Sequence, residues 1–101
     1  MPSFSSDNDL ENISSNEEIN LIKGYRVQIV ISQNEQELQD VKIEIEKSID
    51  EQTYIIFELP NYKLRVGNFL NRKEAESFQK KIVRLGYRTA WVVPTMIEKE
   101  D

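Results

Sequence analysis

The chain has 101 residues, 39% apolar and 31% charged, which is room for one small domain with a single core. It contains no cysteine and no histidine. Disulfides, thiolate chemistry, the commonest general base and the usual zinc and haem ligands are therefore excluded. No pair of carboxylates stands apart in an apolar setting, so the chain reads as a non-enzyme, and nothing in it calls for a metal or a cofactor.

The net charge of −5 is unevenly spread. Residues 1–23 carry Asp7, Asp9, Glu11, Glu17 and Glu18 against Lys23, and most of the net charge lies there. Further on, residues 35–58 hold eight acids and two bases, whereas 63–88 hold eight bases and two acids. That pattern describes an acidic helix and a basic helix in one domain, with no broad basic stripe for nucleic acid. No run approaches the ~18 apolar residues that a membrane span needs. The first residues also lack the basic start and apolar stretch of a signal peptide.

In chain order, residues 1–23 are rich in Ser, Asn, Asp and Glu and read as a disordered acidic tail or linker. A domain is expected over 24–95, followed by a polar tail over 96–101. Residues 25–32 alternate as a half-buried strand. Tyr25, Val27, Ile29 and Ile31 share one face, and Arg26, Gln28, Val30 and Ser32 the other. Asn34 with Glu37 three residues on forms a capping-box-like start. Leu38, Val41, Ile45 and Ile49 then recur at helical spacing and predict a helix over about residues 35–49.

Thr53 to Leu59 is β-branched and aromatic, a second strand. With Pro60-Asn61 as the turn, Leu59 is expected opposite Tyr62 and Glu58 opposite Lys63. Ile55, Phe57 and Leu59 then share a side with Tyr62, Leu64 and Val66. Tyr54, Ile56 and Glu58 share the other with Lys63 and Arg65. A second helix starts at the Asn71 cap, with Glu74 three on, lines Ala75, Phe78, Ile82 and Leu85 on one face, and stops at Gly86. Arg88 to Val93 reads as the last strand, ended by Pro94.

The order βαββαβ predicts an α+β, ferredoxin-like (RNP-like) fold: a four-stranded antiparallel sheet with two helices packed on one face. The other face is left for a ligand or partner, and Arg26, Gln28, Tyr54, Ile56, Lys63 and Arg65 are expected on it. Trp91 falls there too if Ala90 and Val92 point inward. The opposite choice buries the indole.

Four strings, in this order, are similar to the SPOR domain family over about residues 24–94: Tyr25-Arg26-Val27-Gln28, Lys63-Leu64-Arg65-Val66-Gly67-Asn68-Phe69, Asn71-Arg72-Lys73-Glu74-Ala75-Glu76, and Leu85-Gly86-Tyr87 leading to Ala90-Trp91-Val92-Val93. The resemblance implies a non-catalytic bacterial cell-envelope module. Such a module binds peptidoglycan through the open sheet face, favours glycan strands stripped of stem peptides, and directs its parent protein to the septum or cell wall. Periplasm or cell envelope is the implied location, with any export or anchoring segment outside this chain.

Carried over by position, Gln28 is the first-strand glutamine, Lys63 the basic residue opening the third-strand motif, and Trp91 the last-strand sugar contact. Arg26, Arg65, Ser32 and Tyr54 complete the candidate glycan-binding set. Ile31 stands where a small hydroxyl residue is common, Asn61 where some members have an aromatic, and Asn68 where proline is usual. Neither nucleic acid nor direct membrane insertion is expected, and a monomer is.

Three other functions share this strand order. An RNA-binding RRM needs aromatics on its central strands, where this chain has Arg26, Gln28, Lys63 and Arg65. A regulatory or protein–protein module of the ACT type would use the open-face apolar strip, Val30, Tyr54, Ile56 and Trp91. An acylphosphatase-like enzyme needs a basic, glycine-bearing loop after the first strand, and Ser32-Gln33-Asn34-Glu35 is neither.

Overall fold

A computed structural model describes residues 20–98. Four strands and two helices follow in the order β1 (Leu21–Ser32), α1 (Glu35–Ile45), β2 (Thr53–Glu58), β3 (Asn61–Phe69), α2 (Arg72–Arg84) and β4 (Trp91–Glu98). All adjacent strands are antiparallel, in the order β2-β3-β1-β4. This is the ferredoxin-like α+β arrangement.

Each helix starts where its cap places it. Asn71 accepts a 2.9 Å hydrogen bond from the Glu74 amide, and Asn34 accepts one of 3.0 Å from the Gln36 amide. Helix α2 ends in a Schellman motif. The Tyr87 amide reaches the Ile82 carbonyl and the Gly86 amide the Val83 carbonyl, with Gly86 at φ 112°. Helix α1 is shorter than its periodicity predicts. After Ile45 the amides of Lys47 and Ser48 bond three residues back, to Glu44 and Ile45. The tighter turn still returns Ile49 to the core.

Val27, Ile29, Leu64, Val66, Ala90 and Val92 from the sheet side meet Leu38, Ile45, Ile49, Ala75, Phe78 and Ile82 from the helix side in one buried cluster. Phe69 and Phe78 rings stack within it, tilted, with centroids 5.3 Å apart. Leu85, expected on this face, is instead exposed at the end of α2. Burying one face of the sheet in this way leaves Arg26, Gln28, Tyr54, Arg65 and Trp91 on the other.

Three further features depart from the sequence reading. First, β1 is longer, and β4 starts later and runs further than Arg88–Val93, at Trp91–Glu98: Leu21 pairs with Glu98, and pairing continues through Tyr25–Pro94 to Gln28–Trp91. The sheet thus extends beyond the 24–95 bounds at both ends. Residues 1–19 and 99–101 of the two expected tails lie outside the described residues. Pro94 does not end β4, because an edge strand needs its N–H groups on one side only.

Second, the hairpin turns at Leu59-Pro60, joined by a cis peptide bond, and Glu58 pairs with Asn61, Phe57 with Tyr62 and Ile56 with Lys63. Compared with the expected pairing, each β2 residue meets the β3 residue two positions earlier. An even slip keeps every side chain on its expected face. Leu59 itself sits at the turn, 84% exposed, and not in a strand pair.

Third, β1 and β3 are interrupted twice. Between the Gln28–Arg65 and Val30–Leu64 pairs, Ile29 is an extra residue on β1, a β-bulge. Past it the alternation flips. Val30 packs against the core, while Ile31 pairs with Lys63 and is 48% exposed. The sequence reading has these two residues the other way round. On β3, Gly67 and Asn68 both fall opposite Arg26, between the Val27–Val66 and Tyr25–Phe69 pairs. Gly67 has φ 86°, the left-handed conformation that this type of bulge takes from glycine.

Candidate glycan-binding face

One transverse row crosses the whole uncovered face. Tyr54 on β2 pairs with Arg65 on β3, Arg65 with Gln28 on β1, and Gln28 with Trp91 on β4. Neighbouring strands lie ~4.8 Å apart, so the four side chains form a band of about 15 Å. Trp91 closes it at the β4 edge with 64% of its surface exposed, because Ala90 and Val92 beside it point into the core.

Within the row, Arg65 Nε donates a 2.9 Å hydrogen bond to Gln28 Oε1. The bond fixes the amide: its oxygen is turned to Arg65, and its NH₂ donors remain for another acceptor. Arg65 keeps its terminal N–H groups, the pair that can fork onto a carboxylate.

Beside the row stands a second group that sequence reading did not assemble. The Arg26 guanidinium lies 3.9 Å from the centre of the Tyr54 ring, a cation–π contact. Arg26 Nε also donates to Asn68 Oδ1 at 3.0 Å, and Asn68 Nδ2 donates to the Tyr54 hydroxyl at 2.6 Å. Asn68 reaches both because the Gly67 bulge lifts it opposite Arg26. The sequence signal was present in Gly67-Asn68, but only as a departure from the proline that is usual there.

Lys63 lies one pair further along, between Ile56 on β2 and Ile31 on β1. Its ammonium is hydrogen-bonded to Glu58. That bond, reinforced by the charge of Lys63, holds the Glu58 carboxyl below the usual carboxylate range. Both partners reach solvent, so the pair is a weak one that a second anion can compete with. Ser32 stands apart from the row. It pairs with Tyr62, its Oγ accepts from the Asn34 amide at 3.0 Å, and its hydroxyl donates to Glu37. It is thus part of the α1 cap.

Two shallow clefts bracket the row. One, of about 420 Å³, is lined by Tyr54, Gly67, Asn68, Glu51, Gln52 and Glu98. The other, of about 260 Å³, lies at the Ile29 bulge among Gln28, Val30, Ile31 and Thr89. Thr89 Oγ1 donates to the Ile29 carbonyl at 2.6 Å, supplying a bond where β1 has run past its β4 partner. Among the described residues no group of three or more His, Cys, Asp or Glu is placed to hold a metal ion, and no helix is long and apolar enough to cross a membrane.

The SPOR domain model matches residues 22–94, nearly the whole described chain. The chain belongs to the SPOR domain family. Neither a curated protein nor a solved structure matches it. SPOR domains are peptidoglycan-binding, septum-targeting modules of cell-envelope proteins, and binding rather than catalysis is their role. A glycan partner in general follows for this chain.

Proposed function

We propose that the Tyr54–Arg65–Gln28–Trp91 row binds peptidoglycan glycan strands that have lost their stem peptides, bringing the parent protein to the septal wall on the periplasmic side. Removing the stem peptides exposes lactyl carboxylates on the muramic acid residues. Arg65 and Lys63 suit those carboxylates, the Gln28 NH₂ suits the N-acetyl or hydroxyl oxygens between them, and the exposed indole of Trp91 suits a sugar's C–H face. Arg26, held by Tyr54 and Asn68, adds a fixed positive charge beside the chain of sugars. One observation carries the reading: an amide, a guanidinium and a 64% exposed indole stand on three neighbouring strands of one uncovered sheet face.

The test is co-sedimentation with purified sacculi, untreated and digested with an amidase that removes stem peptides. Binding is expected to rise after digestion. Equal binding to both preparations would sink the preference for denuded strands, and absence of binding by folded protein would sink the glycan reading.

A further inference from the structure

Two arginines on the uncovered face are held in the same way. Arg65 Nε donates to the Gln28 amide oxygen at 2.9 Å, and Arg26 Nε donates to the Asn68 amide oxygen at 3.0 Å. An amide oxygen on Nε ties down one edge of the guanidinium and leaves its two terminal NH₂ groups as a fork. Arg26 is fixed further by the Tyr54 ring, whose centre lies 3.9 Å from it, and a stacked guanidinium keeps its in-plane donors. Asn68 is itself held, because its Nδ2 donates to the Tyr54 hydroxyl at 2.6 Å.

Among the described residues the ion-paired bases are Lys42, Lys63 and Arg72, and neither Arg26 nor Arg65 is one of them. Glu51 and Glu98 line the cleft beside Tyr54 and Asn68 without pairing with Arg26. Arg65 lies opposite Gln28, two residues along β1 from Arg26, so the two arginines are diagonal neighbours ~7–8 Å apart at their backbones. Both are half-buried. Two like charges so placed repel each other, and an anion at each relieves the repulsion.

We propose that Arg26 is a second carboxylate receptor, preorganised by Asn68 and Tyr54, so that the face reads two successive muramic acid carboxylates of one strand, one at Arg65 and one at Arg26. The inference rests on the glycan reading of this face. In a denuded strand every second sugar carries a lactyl carboxylate, and a repeated anion matches a pair of forks. A stem peptide turns that carboxylate into an uncharged amide with a single acceptor oxygen, so peptide-bearing sugars are rejected at two places. Lys63 is not the second receptor, because Glu58 engages its ammonium. Asn68 is the positioning residue. The proline usual at this place in the family has no side-chain group to hold either Arg26 or Tyr54, so the second receptor belongs to this chain.

Isothermal titration of the full chain tests this with a soluble denuded strand of two disaccharide repeats, and with the same strand after its carboxylates are converted to methylamides. Arg26→Gln is expected to weaken binding of the denuded strand by about tenfold or more, and Asn68→Ala by about threefold to tenfold. Salt dependence should become shallower in Arg26→Gln alone, since Asn68→Ala keeps the charge. Methylamidation is expected to cost the wild type more affinity than it costs Arg26→Gln, a difference that a purely structural role would not produce. Thermal melts of both variants check the fold. Wild-type affinity in Arg26→Gln overturns the second receptor, and wild-type affinity in Asn68→Ala overturns its positioning; the glycan reading then stands on Gln28, Arg65 and Trp91. An unchanged salt dependence in Arg26→Gln also overturns the receptor. A folded wild type that binds neither strand overturns the glycan reading, and this inference with it.

Discussion

Arg65 and Gln28, 37 residues apart in sequence, are joined by a 2.9 Å hydrogen bond in which the guanidinium Nε donates to the amide oxygen. The bond fixes which end of the glutamine is offered to a ligand, and it makes the two residues one unit. Gln28→Glu keeps the shape but replaces the free NH₂ donors with a carboxylate oxygen. The new charge would engage Arg65 and repel an anionic sugar. Loss of sacculus binding is expected to reach about tenfold to a hundredfold, the size of ~1.5–3 kcal/mol for a hydrogen bond to a charged group. The melting temperature is expected to hold. Titrated co-sedimentation beside a thermal melt checks both.

Trp91 gives a cleaner separation of binding from folding. With 64% of its surface already in solvent, Trp91→Leu is expected to change stability by no more than about 0.5 kcal/mol. Sacculus affinity should fall about tenfold, ~1.4 kcal/mol, through the lost stacking surface. A variant that melts early points instead to a packing role for the indole.

The glycines at 67 and 86 both sit at positive φ, yet they are expected to tolerate alanine differently. A Cβ at Gly67 would collide with the Phe69 ring at Cε2, whereas one at Gly86 would meet nothing within 4 Å. Gly86→Ala is expected to cost about 1–2 kcal/mol for the backbone conformation alone. Gly67→Ala is expected to cost more, since the Phe69 ring must also move and the bulge that presents Asn68 is disturbed. Urea unfolding of the two variants gives the order directly.

Charge and pH supply a further test. Without histidine or cysteine, no side chain has an ordinary pKa between about 5 and 8, so sacculus binding is expected to be flat from pH 6 to 8. The Glu58 carboxyl is depressed by Lys63. Its contribution is therefore complete above the ordinary carboxylate range and is lost as pH falls through the depressed value. Glu58→Gln removes the competing anion and is expected to raise glycan affinity severalfold at neutral pH. Added salt should shrink that gain. Unchanged affinity in this variant would remove Lys63 from the binding set.

Much of this architecture was legible because local signals agreed. Asn34 and Asn71 cap the helices, Gly86 stops the second, and the alternation of 54–58 with 62–66 assigned both hairpin faces correctly even though the turn lies at Leu59-Pro60. An even slip does not alter the pattern of faces. The Ile29 bulge was not legible, since Val27 to Ile31 is apolar at four of five positions and an inserted residue leaves no mark in such a run. It decides that Ile31 and not Val30 faces Lys63. The orientation of Trp91 was open until Ala90 and Val92 were both seen in the core. The Arg26–Tyr54–Asn68 group left only an indirect mark in the sequence, Gly67-Asn68, because it depends on a bulge that brings three strands into one contact.

Leu21 and Glu98 are cross-strand partners, so the backbone enters and leaves the fold at a single corner. A unit with that geometry is a plug-in. It can be spliced into a loop of a host protein, or hung from either end, with little strain on host or guest. Tension applied across that corner loads the β1–β4 ribbon one pair at a time from Leu21–Glu98 inward, and the Gln28–Trp91 pair is the last to feel it. A module arranged in this way can fray where it is attached and still grip with its far end.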